Sequence, residues 1–336
     1  MTATVQTGPA DQADVPRPAQ PAVPQPAAPQ PAAPRPAAAP STTRTKRTPG
    51  PTRAEQTVPV DCGGLHPVVH RPPLEEYLRL LWQRRHFVWA DARARTLSES
   101  RRFLLGQVWL VLRPVLDAAV YLVIFGLVMR SSRGVENFLG YLVIGVFLFR
   151  FTAGTVNAGA KSITSGRALV RSFSFPRIAL PVAEVTRQVL RFGPTLGAML
   201  VLILVIPPGA RLGWRWLLLP LVLALQVVLV TGLVLLTARL VAKIPDLSQV
   251  ISLGNRFWLY GSGVMFSFER FVDHPTVLAV VEVNPMFQVL DMARDCLLYA
   301  QTPSLASWAI LTGWAAVALV GGLVFFWRGE ESYGAA

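Results

Sequence analysis

Long and nearly uncharged apolar runs constrain this 336-residue chain more than any other feature. A run of about 18 or more apolar residues exceeds what a soluble core helix needs and matches the thickness of a bilayer. The sequence therefore predicts an all-α membrane protein with six transmembrane helices. The predicted spans are residues 108–129, 138–156, 189–206, 217–238, 250–268 and 305–327.

The region before the first span divides into two parts. Residues 1–73 are rich in Pro and Ala and carry few large apolar side chains, so we expect a disordered cytoplasmic tail. Residues 74–102 predict an amphipathic helix on the membrane surface followed by a basic linker, with Trp82 and Trp89 as interfacial anchors. A packed helix of a small cytosolic cap is the alternative. Residues 103–336 form the membrane domain.

The segment between the fifth and sixth spans is too long for a simple turn. It holds two apolar pieces, residues 277–283 and 286–300, which are separated by Asn284-Pro285. Each piece is too short to cross a bilayer, and such broken segments are typical of re-entrant helices surrounded by protein. We therefore expect a re-entrant helical pair with its turn at Asn284 and Pro285.

The formal net charge of +13 is distributed mainly beside the apolar runs, which favours membrane topology over nucleic-acid binding. The connector 161–177 carries four cations and no acid, so we place it, with both termini, on the cytoplasmic side. The cations predicted to lie outside are Arg130, Arg133, Arg211, Arg215, Arg270 and Arg294.

Motifs for catalysis and metal binding are missing from the sequence. No Gly-x-x-x-x-Gly-Lys-Ser/Thr loop is present, so we expect no ATP site of that type and no catalytic residues in this chain. Cys62 and Cys296 are predicted on opposite sides of the membrane, and no metal site is indicated. Asp291 and Asp295 share a helix face, which leaves open a membrane enzyme acting on polyprenyl phosphate.

Several short motifs, in their order and spacing, give the membrane domain a family resemblance. They are Leu105-Gly106-Gln107-Val108-Trp109 with Arg113-Pro114, Ser172-Phe173-Ser174-Phe175-Pro176-Arg177, Trp258-Leu259-Tyr260-Gly261-Ser262-Gly263, and Asn284-Pro285. With these motifs residues 74–333 resemble ABC-2 type permeases of the polysaccharide, teichoic-acid and O-antigen export family. That family usually has Ser-Pro after the aromatic cluster, where this chain has Ser262-Gly263.

The resemblance implies a homodimeric permease bound to two copies of a separate ATP-binding subunit. ATP and Mg²⁺ would bind that partner, and this chain would need no cofactor. By analogy, the interfacial helix and the connector contact the ATPase. The coupling residues implied are Arg167, Arg171, Phe175, Pro176 and Arg177.

The resemblance also implies a cargo: a glycan on polyprenyl diphosphate, moved outward across the bacterial plasma membrane. Arginine supplies 29 of the 32 cations, and with abundant Ala and Pro this is typical of a GC-rich bacterium. In a GC-rich actinobacterium the expected cargo is a cell-wall galactan. An exporter of a drug or lipid on the same fold is the alternative.

Aromatic side chains in the spans offer flat faces on which sugars stack. The residues expected along the substrate pathway are Arg150, Phe147, Phe149, Trp258, Tyr260 and Phe266, with Phe151 and Phe268 beside them. Packing against lipid or against other helices is the alternative for the aromatic residues, and snorkelling to the headgroups is the alternative for Arg150. Arg84 and Arg85 are candidates for contact with a lipid diphosphate or with ordinary phospholipid headgroups.

Overall fold

The computed structural model describes residues 73–101, 137–166, 176–205, 213–266, 268 and 275–330, with side chains up to 96 in the first range. In the first predicted span, 108–129, it describes only the isolated helical positions 112, 115, 116, 119, 120 and 123. The predicted tail, 1–73, lies outside the described residues except for Pro73. Within the described ranges the regular structure is helical throughout, as the sequence predicts.

The described helices follow one another along the chain with short connections. They are α1 (Leu74–Gln83), α2 (Arg85–Arg101), α3 (Phe138–Ala160), α4 (Ser162–Ser165), α5 (Ala179–Val205), α6 (Leu219–Lys243), α7 (Leu247–Gly261), α8 (Pro275–Glu282), α9 (Pro285–Arg294) and α10 (Leu305–Trp327). A 3-10 turn, Trp214–Leu218, precedes α6, and a π-helical turn, Asp295–Tyr299, follows α9.

Four of the described helices are long and apolar enough to cross a membrane: α3, α5, α6 with its preceding turn, and α10. The bounds of α10 equal the predicted span. Helix α5 begins ten residues before its prediction, because Glu184 pairs with Arg187 inside the helix (2.7 Å) and so continues it rather than preceding it. The described residues therefore account for four of the six predicted spans.

The predicted fifth span, 250–268, is different in the structure. Helix α7 has 15 residues and at ~1.5 Å per residue is shorter than the ~30 Å hydrocarbon layer. It ends at Gly261, and Gly263 adopts a left-handed backbone (φ 63°), which only glycine enters without steric cost. The glycine that stands where the family has proline therefore also breaks the helix.

Helices α8 and α9 confirm the expected pair of short, broken apolar pieces. They have 8 and 10 residues and meet at Asn284–Pro285, as the sequence predicts. Asn284 caps α9, since its side chain accepts a hydrogen bond from the Met286 backbone N–H (3.0 Å). Proline follows at the first helical position, where its missing N–H costs nothing. Whether the pair enters the membrane stays a prediction.

Helix α6 lies at the centre of the bundle and packs against α3, α5 and, most extensively, α10. Gly232 of α6 lies directly against the backbone of Ala318, and Gly322 of α10 lies against the carbonyl of Gly232, with no room for a Cβ at either glycine. On its other side, the buried Gln226 donates to the Leu148 carbonyl and to Thr152 Oγ1 (3.0 and 2.8 Å). Small residues and one polar contact thus fix the central helices.

Helices α1 and α2 replace the single amphipathic helix predicted from residue 74. The chain breaks at Arg84, and α2 continues to Arg101. Val88 of α2 packs against Ala179 and Ala183 at the start of α5. Trp82 and Trp89 are largely exposed, as interfacial anchors need to be, but their contact with a membrane stays a prediction.

Candidate functional site

The helix ends gather at two ends of the bundle, and each end has its own polar contacts. We call the end that holds Lys161, Arg177, Lys243 and Arg328 the connector end. The opposite end holds Gly261, Asn284 and the start of α10. The coupling residues predicted from sequence belong to the first, and the motifs around Trp258 and Asn284 belong to the second.

At the connector end, the Tyr77 hydroxyl joins three parts of the chain. The ring is completely buried (0% exposed) against Ile178 and Phe326, among other residues. Its hydroxyl donates to Glu330 Oε2 (2.6 Å) and accepts the backbone N–H of Ile178 (3.2 Å). The surface helix α1 is therefore tied both to the chain entering α5 and to the segment after α10.

Arg177 completes this arrangement, which we call the connector lock (Tyr77, Arg177 and Glu330). Its backbone N–H donates to Glu330 Oε1 (3.0 Å), and its guanidinium donates to the Glu330 backbone carbonyl. Burial raises the pKa of the Glu330 carboxyl, and this outweighs the lowering by the Tyr77 hydroxyl and by Arg177. The lock transmits position between α1, the connector and α10 because no member can move without breaking a buried hydrogen bond.

Of the predicted coupling residues, the structure describes Pro176 and Arg177 only. Pro176 is buried, and its carbonyl accepts the Ala179 N–H in the first turn before α5 (3.0 Å). Arg167, Arg171 and Phe175 lie outside the described residues. The guanidinium of Arg177 is half-buried and bonded within its own chain, so its predicted contact with an ATPase stays a prediction.

At the opposite end, Asn284 brings two of the sequence motifs together. Its Oδ1 accepts the indole N–H of Trp258 (3.0 Å), and its Nδ2 donates to the Gly261 carbonyl and to Ser262 Oγ (2.9 and 3.2 Å). Since the same Oδ1 also caps α9, one side chain fixes the α8–α9 turn to the end of α7. This is a structural role for the predicted re-entrant turn.

Arg294 lies beneath this junction, with its side chain only 1% exposed. The guanidinium donates to the Gly263 carbonyl (3.0 Å) and lies over the Tyr141 ring, 3.3 Å from the centroid. The Tyr141 hydroxyl donates to the same carbonyl (2.8 Å). The sequence grouped Arg294 with exterior loop cations; the structure corrects that assignment, because these backbone carbonyls and the ring replace water around the charge.

The predicted pathway residues occupy different environments. Phe147 and Phe149 are packed in the core, and Phe149 meets Trp258 edge to face with centroids 5.8 Å apart. Phe266 contacts Phe268 (4.9 Å), whereas Tyr260 is 56% exposed. In this conformation the uncovered aromatic surface is therefore the α7 face with Phe257 and Tyr260, and the assignment of a pathway stays a prediction.

The basic pathway candidates lie on the surface. Arg150 of α3 is exposed, although it has an interaction within the chain. Arg84 and Arg85 are exposed at the α1–α2 break, and the Arg85 guanidinium lies 5.0 Å from the ring centroid of Trp82. All three are accessible to anionic groups, and such contacts stay predictions.

Asp291 and Asp295 do not share a helix as closely as the sequence indicates. Helix α9 ends at Arg294, and Asp295 begins the π-helical turn. Among the described residues, no group of three or more His, Cys, Asp or Glu side chains is placed to hold a metal ion. The described geometry therefore offers no support for metal-diphosphate chemistry.

Sequence reasoning missed the connector lock and the Arg294 contacts. Tyr77 was assigned only to an apolar helix face, and Glu330 only to a polar tail. The available signal was a lone acid, Glu330, just after a span that ends among basic residues. Its partner lies 253 positions away, a separation that no local pattern reveals.

The comparisons with known proteins agree with this architecture. Residues 88–298, more than half of the chain, match the sequence model of the family described as ABC-2 type transporter. The chain belongs to the ABC-2 type transporter family. It is accordingly a multi-pass membrane protein, and it is the membrane subunit of a transporter that works with an ATP-binding partner.

Its relatives include three proteins named "O-antigen export system permease protein RfbA". The one from Myxococcus xanthus is 24% identical over 245 residues, which covers 71% of this chain and 93% of the relative. Two from Klebsiella pneumoniae are 26% and 25% identical over 192 and 190 residues. These cover 57% and 56% of this chain and 72% and 71% of the relatives. The predicted family resemblance is confirmed.

Proposed function

We propose that this chain is the permease of an ABC exporter that moves a polyprenyl-diphosphate-linked polysaccharide from the cytoplasm outward. The observation that carries the proposal is the alignment over 93% of the length of a protein named as an O-antigen export permease. A likeness of that extent includes both ends of the bundle rather than one shared motif. A cell-wall galactan is the cargo we propose to test first.

The energy for transport comes from a separate ATP-binding subunit, of which two copies bind a homodimer of this chain. The sequence contains no phosphate-binding loop of the usual type, so nucleotide hydrolysis belongs to the partner. The partner docks at the connector end. There the connector lock carries a push on the connector to α1 and α10 at once, since Glu330 bonds both Tyr77 and Arg177.

The connector end faces the cytoplasm of a bacterial plasma membrane. Lys161, Arg177, Lys243 and Arg328 gather there, and an excess of cations marks the cytoplasmic side of membrane proteins. Both termini then lie in the cytoplasm. The α8–α9 pair and the start of α10 face outward.

The exposed face of α7 lines the conduit between two copies of the chain. Phe257 and Tyr260 are 69% and 56% exposed, beside the exposed Val250 and Leu253. Aromatic faces stack on sugar rings with little dependence on sequence or linkage, which suits a long polymer. An uncovered surface of this kind in a single chain is also what a symmetric partner covers.

The proposal is tested by purifying the tagged permease from its native host and identifying co-purifying proteins and lipids by mass spectrometry. We expect an ATP-binding subunit in equal amount and a polyprenyl diphosphate that carries sugars. Recovery of a drug-like molecule or phospholipid alone, with the ATPase, would favour the alternative exporter. Turnover of polyprenyl phosphate by the purified permease without an ATPase, abolished by Asp291→Ala, would establish the enzyme instead.

A further inference from the structure

A cavity of about 230 Å³ lies at the opposite end of the bundle, between α8, α9 and the start of α10. It is separate from the connector lock and from the exposed face of α7. Its walls combine two aromatic rings, Phe268 and Phe287, with the polar side chains of Glu282, Gln288, Ser304 and Ser307. The volume equals that of several water molecules and is sufficient for a single small ring.

Gln288 is the observation that points to a ligand. Its side chain is 4% exposed and lines the cavity, and its Nε2 donates to the Glu282 backbone carbonyl (2.6 Å). Only the amide nitrogen can donate to a carbonyl, so this bond fixes the orientation of the side chain. The opposite atom, Oε1, is buried and has no hydrogen-bond partner among the described residues. A buried acceptor without a donor costs about 1–3 kcal/mol.

The remaining walls define the chemistry of the missing donor. The rings of Phe268 and Phe287 meet at 65° with centroids 6.4 Å apart, which gives the cavity an apolar corner. The Ser304 and Ser307 hydroxyls lie 2.9 Å from each other on the facing wall. Glu282 and Asp291 are acidic, and no Lys or Arg belongs to the described lining. Anionic phosphates are therefore repelled, and an alkyl chain would leave Gln288 Oε1 unsatisfied.

We propose that this cavity is a binding subsite for one neutral sugar residue, with a sugar hydroxyl donating to Gln288 Oε1. The apolar face of the sugar lies against the Phe268 and Phe287 rings, and the acidic and hydroxyl side chains accept its other hydroxyls. The inference rests on the proposed function, because the subsite would hold the glycan where it leaves the permease.

The test uses the full permease–ATPase complex in nanodiscs and the methyl glycosides of common hexoses as probes. Saturation-transfer NMR measures their binding, with inorganic phosphate as a second probe. Ala306→Phe fills the cavity from an exposed position on α10, and Ala309→Phe is the matched control on an exposed face outside the lining. Gln288→Leu removes the acceptor.

We expect at least one glycoside to bind the wild type and Ala309→Phe alike, and about tenfold more weakly to Gln288→Leu, as the loss of one desolvated hydrogen bond predicts. Ala306→Phe should abolish binding. The absence of glycoside binding to the wild type, equal binding by all variants, or binding of phosphate in place of glycosides would each overturn the subsite. The cavity would then hold water only.

A transport assay on the same preparations separates the two proposals. If the wild type moves a lipid-linked glycan and the glycoside probes fail, the subsite alone is wrong. If the wild-type complex moves no glycan, the proposed function is wrong, whatever the probes show.

Discussion

Replacing Tyr77 by phenylalanine tests the connector lock with the smallest possible change. The ring stays in its buried position against Ile178 and Phe326, and only the hydroxyl is lost. Two buried groups then lack a partner: the Glu330 carboxyl loses a donor, and the Ile178 N–H loses its acceptor.

The expected cost follows from these two losses. A hydrogen bond to a charged group contributes about 1.5–3 kcal/mol, and an unsatisfied buried donor costs about 1–3 kcal/mol. The two contacts share one hydroxyl and are not additive, so we expect a total of about 2–4 kcal/mol. Because α1 is held to the bundle at this point, the cost should appear as local opening of α1, increased about 30-fold or more.

Hydrogen–deuterium exchange of the purified permease in nanodiscs measures this opening. Peptides that cover α1 should lose protection in Tyr77→Phe, while peptides from the middle of α10 should keep theirs. Tyr260→Phe is the matched control, since it removes a hydroxyl from an exposed side chain. Exchange of α1 at the wild-type rate in Tyr77→Phe would refute the reasoning, because the hydroxyl would then contribute nothing to the attachment of α1.

Three further predictions address the packing, the topology and the pH dependence. Gly322→Val should lower the thermal stability of the purified protein by about 2 kcal/mol or more, because its side chain meets the Gly232 backbone; Gly321→Val, with open space around it, should not, and equal losses would contradict the close packing. In intact cells, a membrane-impermeant thiol reagent should label Thr302→Cys but not Lys161→Cys in a cysteine-free background, and the reverse pattern would invert the orientation. Because the folded state raises the pKa of Glu330, the stability of the connector end should be greatest below the ordinary pKa of glutamate and should fall as pH rises through the raised value. Exchange of α1 against pH should show this fall in the wild type and not in Glu330→Gln; equal slopes would exclude Glu330 as its cause.

The sequence predicts elements whose cause is local. Helix α10 begins and ends where predicted, because Ser304 caps it (3.0 Å to the Ser307 N–H) and the apolar run ends at Trp327. The α8–α9 break is local too, since Asn284-Pro285 carries its own capping signal. The start of α5 was placed too late because charged residues were taken as a boundary, whereas Glu184 and Arg187 neutralise each other within the helix.

The contacts that define the two ends of the bundle could not be predicted, because they join distant parts of the chain. Tyr77 and Glu330 both have ordinary local explanations, and only the fold places their oxygens 2.6 Å apart. Arg294 follows the charge rule for an exterior loop, yet three backbone carbonyls and the Tyr141 ring surround it. In each case the missing information was which buried groups the fold supplies as partners.

The most direct test of the proposed function is transport by proteoliposomes that contain only this permease, its ATP-binding subunit and a fluorescent polyprenyl-diphosphate glycan. The account predicts ATP-dependent movement of the glycan from the side of the ATPase to the opposite leaflet, where a membrane-impermeant glycosidase can then cleave it. Cleavage that is unchanged when ATP is replaced by a non-hydrolysable analogue would contradict the account.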